Sequence, residues 1–153
     1  VLHFERSGHP LHWIGTILAL NGIMICTLEL VITFVTSRFA VRTMLAIGYI
    51  GMACSYLILI ADTSLLSFTL TVIVFTLGEM FAFSRQQAYA ASLAPDDMRG
   101  RYSGFLGFAW SGGSILAGLL SLKLYDYSPD AVWITTAALG VIAAAAILLW
   151  GRE

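Results

Sequence analysis

The sequence is poor in charge and in helix-breaking proline. Of its 153 residues only 11% are charged and three are proline. Soluble domains carry about 25% charged residues, so a soluble globular domain and a disordered chain are both excluded. Eight basic and nine acidic residues leave a net charge of −1, so the chain has no basic surface for nucleic acid.

Motifs for metal binding and catalysis are also missing. Cys26 and Cys54 lie inside apolar runs, where they are expected to pack rather than to form a disulfide. His3, His9 and His12 crowd one short polar end, but no Cys or carboxylate motif frames them. The chain has no Gly-x-Ser-x-Gly and no His-Glu-x-x-His. We therefore expect no enzyme, no bound metal and no cofactor.

Long apolar runs dominate what is present, since 59% of the residues are hydrophobic. A bilayer core about 30 Å thick needs about 20 apolar residues per helix. In lipid, backbone polar groups must be hydrogen-bonded within the segment, so such runs have to be helical. The sequence therefore predicts an all-α polytopic membrane bundle of five transmembrane helices, at residues 11–35, 41–61, 65–91, 104–124 and 131–150.

Basic residues set the predicted orientation. One set of helix ends carries Arg38, Arg42, Arg99, Arg101 and Arg152, and the other carries only Arg6 and Lys123. The excess of Lys and Arg on cytoplasmic loops places the first set inside the cell. Residues 1–10 are then an extracytoplasmic loop and residues 151–153 a cytoplasmic tail, in an integral protein of the cell (inner) membrane. The odd number of spans suggests a piece of a longer protein, with a complete five-span protein as the alternative.

Polar residues concentrate on the third span. Glu79 and Gln86, seven residues apart, share one face of the helix, whereas Arg85 and Tyr89 share another. Charged and polar residues on a spanning helix point toward protein or a water-filled cavity. Two interpretations remain open, namely an ion pair that only fixes helix packing, and a substrate or proton site.

The first span carries Glu29 inside the apolar run. The face of the predicted helix that carries Glu29 also carries Gly22, Cys26, Thr33 and Thr36. A carboxylate at the bilayer centre costs about 2.5–3.5 kcal/mol on insertion scales, so such a residue rarely lacks a role. A guanidinium cannot escape its charge by losing a proton. We therefore expect Arg85 to lie within about 4 Å of Glu29, or else of Glu79.

Three stretches resemble a known family. Residues 78–80 read Gly-Glu-Met, and residues 93–102 contain an Ala-Pro followed by Arg-Gly-Arg-Tyr. They resemble the tenth helix and the following cytoplasmic loop of a major facilitator superfamily transporter. Residues 19–29, with Asn21, are similar to the eighth helix, and the glycine-rich fourth span is similar to the eleventh. The chain then corresponds to helices eight to twelve, a partial carboxyl-terminal half of that fold.

The resemblance implies roles for individual residues. In that fold the tenth helix lines the central cavity, and the eighth and eleventh helices form the contact between halves. The substrate and proton cavity would be lined by Glu79, Arg85, Gln86, Glu29, Tyr89 and Asn21. The cytoplasmic loop motifs would comprise Arg99, Gly100 and Arg101, together with Arg38 and Arg42. The loop at residues 36–42 keeps only the two arginines of the family's gating motif, and Ser84 and Arg85 stand where many relatives have a proline.

The implied function is secondary transport of a small organic compound by alternating access, with proton-coupled, drug-exporter-like export as the leading interpretation. Glu79 or Glu29 would take and release the proton, because a carboxyl group in a low-dielectric cavity is easier to protonate. Arg85 would hold an anionic group or a carboxylate. The alternatives are a metabolite or sugar uptake permease of the same fold, and a non-transporting membrane scaffold or assembly subunit. The expected partners are the lipid bilayer, the missing amino-terminal half of the transporter, the small-molecule substrate and protons.

Overall fold

The computed structural model describes residues 2–10 and 12–150. These residues form six helices and no strand: α1 (Leu2–Arg6), α2 (His12–Thr36), α3 (Val41–Ala61), α4 (Leu65–Leu93), α5 (Arg99–Tyr127) and α6 (Pro129–Trp150). The last five are long and apolar enough to cross a membrane. The predicted all-α class with five spanning helices is confirmed.

Several helices extend beyond the predicted spans. α5 begins at Arg99 rather than at residue 104, and α4 continues to Leu93 rather than ending at residue 91. Hydropathy detects only the apolar part of a helix, whereas the backbone hydrogen bonds continue into its polar ends. Pro129 opens α6 two residues early because proline is favoured at the first helical position, where an N–H would have no partner. The predicted start at Leu11 and the predicted tail at residues 151–153 lie outside the described residues.

The segment predicted as an extracytoplasmic loop contains the short helix α1. Its Phe4 side chain is buried, and the Phe4 ring centroid lies 4.7 Å from that of Phe68 in α4. Gly8, with a φ of 79°, then turns the chain toward α2. A helix of five residues is too short to show apolar periodicity, so the sequence pattern gave no sign of it. We call this side of the bundle the α1 end, and the opposite side the Arg42 end.

Small residues hold the centre of the bundle together. α3 packs against α4 and α6, and α2 packs against α4. A Cβ added to Gly78 of α4 would lie 2.8 Å from the carbonyl oxygen of Gly48 in α3, and a Cβ on Gly140 of α6 would lie 2.8 Å from the Cβ of Ala53. The backbones can approach this closely only because no side chain intervenes. By contrast, nothing lies within 4 Å of a Cβ built on the glycines of α5, which are Gly100, Gly104, Gly107, Gly112, Gly113 and Gly118.

The Gly78→Ala substitution tests this contact. The new methyl group would meet the backbone of α3 at Gly48 and Met52, so α3 and α4 must separate. Overpacking of this kind costs about 1–3 kcal/mol, and we expect a lower melting temperature of the detergent-solubilised full-length protein. Gly15→Ala in α2 is the control, because its added Cβ has open space and alanine favours the helix. Equal stability of the two variants would contradict the packing account.

Candidate functional site

An amide joins two helices beside the carboxylate of the third span. Asn21 Nδ2 of α2 donates a hydrogen bond to Thr76 Oγ1 of α4 at 2.8 Å, and makes a longer contact of 3.5 Å with Glu79 Oε2. Thr76 is fully buried and its hydroxyl donates to the carbonyl oxygen of Val72 at 2.7 Å. The Thr76 lone pairs are therefore free to accept from Asn21. The structure thus brings together Asn21 and Glu79, two of the predicted site residues.

The helical repeat explains this cluster. Thr76 and Glu79 are three residues apart, so both lie on the side of α4 that faces α2. α2 and α4 run in the same direction because one helix, α3, connects them. Thr76 was not singled out by the sequence, because a threonine in an apolar helix ordinarily bonds its own backbone. Its second role, as an acceptor for Asn21, becomes visible only when the two helices are packed.

Glu79 has no basic partner in the described part of the chain. No Arg, Lys or His nitrogen of these residues lies within 4.0 Å of its carboxylate. Its side chain is half-buried, and its one hydrogen-bonding contact is with the neutral amide of Asn21. An amide offsets only part of the desolvation of a carboxylate. Glu79 is therefore a half-buried carboxylate on a spanning helix whose hydrogen-bonding contact within the described residues is with a neutral amide.

The predicted pairing of Arg85 is wrong. Among the described residues neither Glu29 nor Glu79 lies within salt-bridge distance of Arg85, and Arg85 Nε is buried without a hydrogen-bond partner. Arg85 follows Thr76 by nine residues, which is about half a turn out of phase, so it leaves α4 on the side away from α2. Glu29 is exposed on α2. The pairing was predicted from the charges of the two residues, and charge does not fix the rotation of a helix.

A cavity of about 450 Å³ lies between α4 and α5. It is lined by Phe83, Gln86, Gln87, Leu106, Gly107, Trp110 and Ser111. The ring centroids of Phe83 and Trp110 are 5.0 Å apart in a T-shaped contact. Gln86 was a predicted cavity residue, whereas Trp110 was missed because a tryptophan in a spanning helix is not distinguished from ordinary apolar residues by sequence. Aromatic rings beside amide and hydroxyl groups suit a small organic molecule.

Tyr89 lies apart from this cavity. It borders another space, of about 290 Å³, with Leu93, Tyr102 and Trp150 at the Arg42 end. The predicted cavity residues are therefore divided among several places along α2 and α4. Asn21 and Glu79 are the pair that a described hydrogen-bonding contact joins.

The predicted loop motifs have different surroundings. Arg99 forms a salt bridge of 2.8 Å with Asp96, but both side chains are highly exposed, so the pair contributes little to stability. Gly100 and Arg101 are exposed in the first turn of α5. Arg38 is exposed, with its guanidinium carbon 5.3 Å from the ring centroid of Phe34.

Arg42 has a structural partner that the sequence did not indicate. Its Nε donates to the carbonyl oxygen of Ile147 at 3.3 Å, and its Nη2 donates to that of Leu148. These carbonyl groups belong to the last turn of α6 as the structure describes it, and carbonyl groups at a helix end commonly bind side-chain donors. Arg42 therefore ties the start of α3 to the end of α6.

Membrane-length helices with polar side chains on their packed faces are the architecture of a polytopic membrane transport protein. The family comparison agrees, since the model of the Major Facilitator Superfamily matches residues 3–153. The chain belongs to this superfamily and is an integral membrane protein of the transporter class. The resemblance to this family is thereby confirmed, and the correspondence to helices eight to twelve stays a prediction.

Curated relatives are longer than this chain. The uncharacterized MFS-type transporter YttB of Bacillus subtilis is 27% identical over 152 residues, which cover 97% of this chain and 38% of YttB. The MFS-type transporter YqjV of the same organism is 30% identical over 101 residues, covering 66% of this chain and 25% of YqjV. A Na(+), Li(+), K(+)/H(+) antiporter of Planococcus maritimus is 27% identical over 103 residues, covering 67% of this chain and 24% of the antiporter. No solved structure matches the chain significantly.

Arg42→Ala is expected to destabilise the protein, because it removes the donors that bind the last turn of α6. Hydrogen bonds from charged groups contribute about 1.5–3 kcal/mol, so thermal unfolding of the purified full-length protein should begin at a lower temperature. Arg38→Ala is the matched control, since Arg38 is exposed and only four residues away. If both variants unfold like the wild type, Arg42 does not hold α6.

Proposed function

We propose that this chain is part of a secondary transporter that moves a small organic compound by alternating access, coupled to protons, in the direction of export. The α1 end faces the outside, and the Arg42 end and the carboxyl terminus face the cytoplasm of a cell with this protein in its inner membrane. The observation that carries the proposal is Glu79, a half-buried carboxylate on a spanning helix whose hydrogen-bonding contact within the described residues is with the amide of Asn21.

Protonation of Glu79 would change the contact between α2 and α4. When Glu79 is ionised, the Nδ2 group of Asn21 is attracted to Oε2 and also binds Thr76 Oγ1. When Glu79 is protonated, the carboxyl group no longer attracts the amide through a full charge, and Asn21 keeps only its bond to Thr76. A proton taken up at Glu79 therefore weakens one link between the two helices. Proton binding would therefore loosen the packing of α2 against α4. α2 resembles the eighth helix of the family, which is one of the two helices at the contact between transporter halves.

The cavity between α4 and α5 supports an aromatic or mainly apolar substrate. Its lining residues include no charged side chain, and the polar side chains are Gln86, Gln87 and Ser111. A sugar needs many hydrogen bonds, whereas an aromatic compound with a few polar groups needs only a stacking surface and some donors. The missing amino-terminal half would supply the opposite wall of this substrate site.

A monovalent metal cation is a second candidate for the coupled ion. Glu79 Oε2 and Thr76 Oγ1 already face the Nδ2 group of Asn21, which carries partial positive charge. Rotation of the amide by half a turn would present its oxygen to the same position and complete a set of three oxygen ligands. Carboxylate and amide carbonyl oxygens are ligands of hard cations in proteins. One relative is named a Na(+), Li(+), K(+)/H(+) antiporter.

The Glu79→Gln variant of the full-length transporter tests the coupling role. In proteoliposomes, a pH gradient should no longer drive substrate accumulation in this variant, whereas substrate exchange at equal pH should continue, because the α4–α5 cavity is intact. Glu29→Gln is the control, since Glu29 is exposed and forms no contact with Asn21. Accumulation that survives in Glu79→Gln but fails in Glu29→Gln would assign the proton to Glu29. Substrate accumulation that a Na⁺, Li⁺ or K⁺ gradient drives in the wild type but not in Glu79→Gln would support a monovalent metal cation as the coupled ion.

A further inference from the structure

A separate cavity of about 190 Å³ lies beneath α1, at the α1 end of the bundle. α1 covers it, and side chains of α2, α3, α4 and α6 form its walls. Aromatic rings make up much of the lining, namely Phe4, Tyr56, Phe68 and Trp133. The rings of Tyr56 and Trp133 are stacked, with 9° between their planes and 5.8 Å between their centroids. This cavity shares no lining residue with the one between α4 and α5.

Three of the lining residues have a buried polar atom without a hydrogen-bond partner. These atoms are His3 Nε2, Thr71 Oγ1 and Trp133 Nε1, and no described residue supplies a partner for any of them. Buried side-chain polar atoms are nearly always hydrogen-bonded, so each exception requires an explanation. Three exceptions around one cavity have a common explanation in a molecule that occupies it.

The chemistry of the three atoms limits what that molecule can be. Trp133 Nε1 can only donate, so the molecule needs an acceptor. Thr71 can donate or accept, and so can His3 Nε2, because His3 Nδ1 shares a hydrogen bond of 3.1 Å with the Tyr125 hydroxyl, whose direction depends on the tautomer. The ring centroids of His3 and Trp133 are 5.1 Å apart, which allows one hydroxyl group to reach both residues.

Charge and size limit the molecule further. Among the residues whose side chains the structure describes, no Asp, Glu, Lys or Arg lines the cavity. Burial lowers the pKa of His3, against the opposing influence of Asp130, so the imidazole is neutral at pH 7. A charged ligand would therefore find no counter-charge among these lining residues. An apolar cavity of about 150 Å³ is known to bind benzene, so the space beneath α1 suits a single aromatic ring.

We propose that this cavity binds a small uncharged aromatic alcohol of the phenol class. The ring lies among the aromatic side chains, and the hydroxyl group accepts from Trp133 Nε1 and donates to His3 Nε2 or Thr71 Oγ1. This site is distinct from the Glu79 cluster and from the α4–α5 cavity. Its occupancy is an equilibrium property that does not require transport.

Phenol binding to the purified full-length protein in lipid nanodiscs tests the proposal, with empty nanodiscs subtracted for partition into lipid. Titration should give saturable binding that is tighter for phenol than for benzene, which lacks the hydroxyl group. Trp133→Phe removes the N–H but keeps a ring, and should weaken phenol binding about fivefold, the effect of one hydrogen bond. Trp13→Phe is the matched control, since Trp13 is exposed on α2 and does not line the cavity, and it should bind phenol like the wild type.

Thr71→Val provides a second variant if Trp133→Phe does not fold, since it replaces a hydroxyl by a methyl group of similar size. It should also weaken phenol binding and leave benzene binding unchanged. Absence of saturable phenol binding would overturn the proposal, because the three polar atoms would then be satisfied by water. Equal affinities for phenol and benzene, or unchanged affinity for phenol in both variants, would overturn it as well. Loss of transport in Glu79→Gln would not bear on phenol binding, because Glu79 does not line this cavity.

Discussion

A carboxylate on a membrane-spanning helix must find a counter-charge, a set of hydrogen-bond donors or a proton. Glu79 has no basic side chain within reach in the described part of the chain, and one neutral amide contacts it. Because of this constraint, the Asn21–Thr76–Glu79 cluster is the part of the structure on which the proposed function depends. Because the cost of an isolated charge in low dielectric is high, the Asn21 amide, which partly offsets that cost, ties the charge of Glu79 to the contact between α2 and α4.

The packing of α3 fixes the position of this cluster. Glycines at the α3–α4 and α3–α6 contacts bring the helix backbones together, and Arg42 joins the start of α3 to the last turn of α6. α4 is therefore held firmly on the side opposite to Asn21. α2 and α5, by comparison, have few buried residues in this chain. Within the described part of the chain, α2 and α5 are therefore less constrained by packing than α3 and α4.

Sequence reasoning identified the helices and their class because length and hydropathy are local properties. It also selected Asn21 and Glu79, since polar residues in an apolar helix are conspicuous. It failed where the result depends on rotation and packing between helices. Arg85 leaves α4 on the side away from α2, and Trp110 meets Phe83 only when α5 is placed beside α4. The link from Arg42 to α6 joins residues more than a hundred positions apart, which no local pattern can reveal.

Infrared difference spectroscopy of the full-length transporter tests the central claim most directly. A change of pH across the range in which the transporter is active should change the intensity of a carbonyl stretching band, which comes from a protonated carboxyl group in a membrane environment. The account predicts that this band disappears in Glu79→Gln, shifts in Asn21→Leu because the amide contact is lost, and is unchanged in Glu29→Gln. A band that persists unaltered in Glu79→Gln would contradict the assignment of the proton to Glu79.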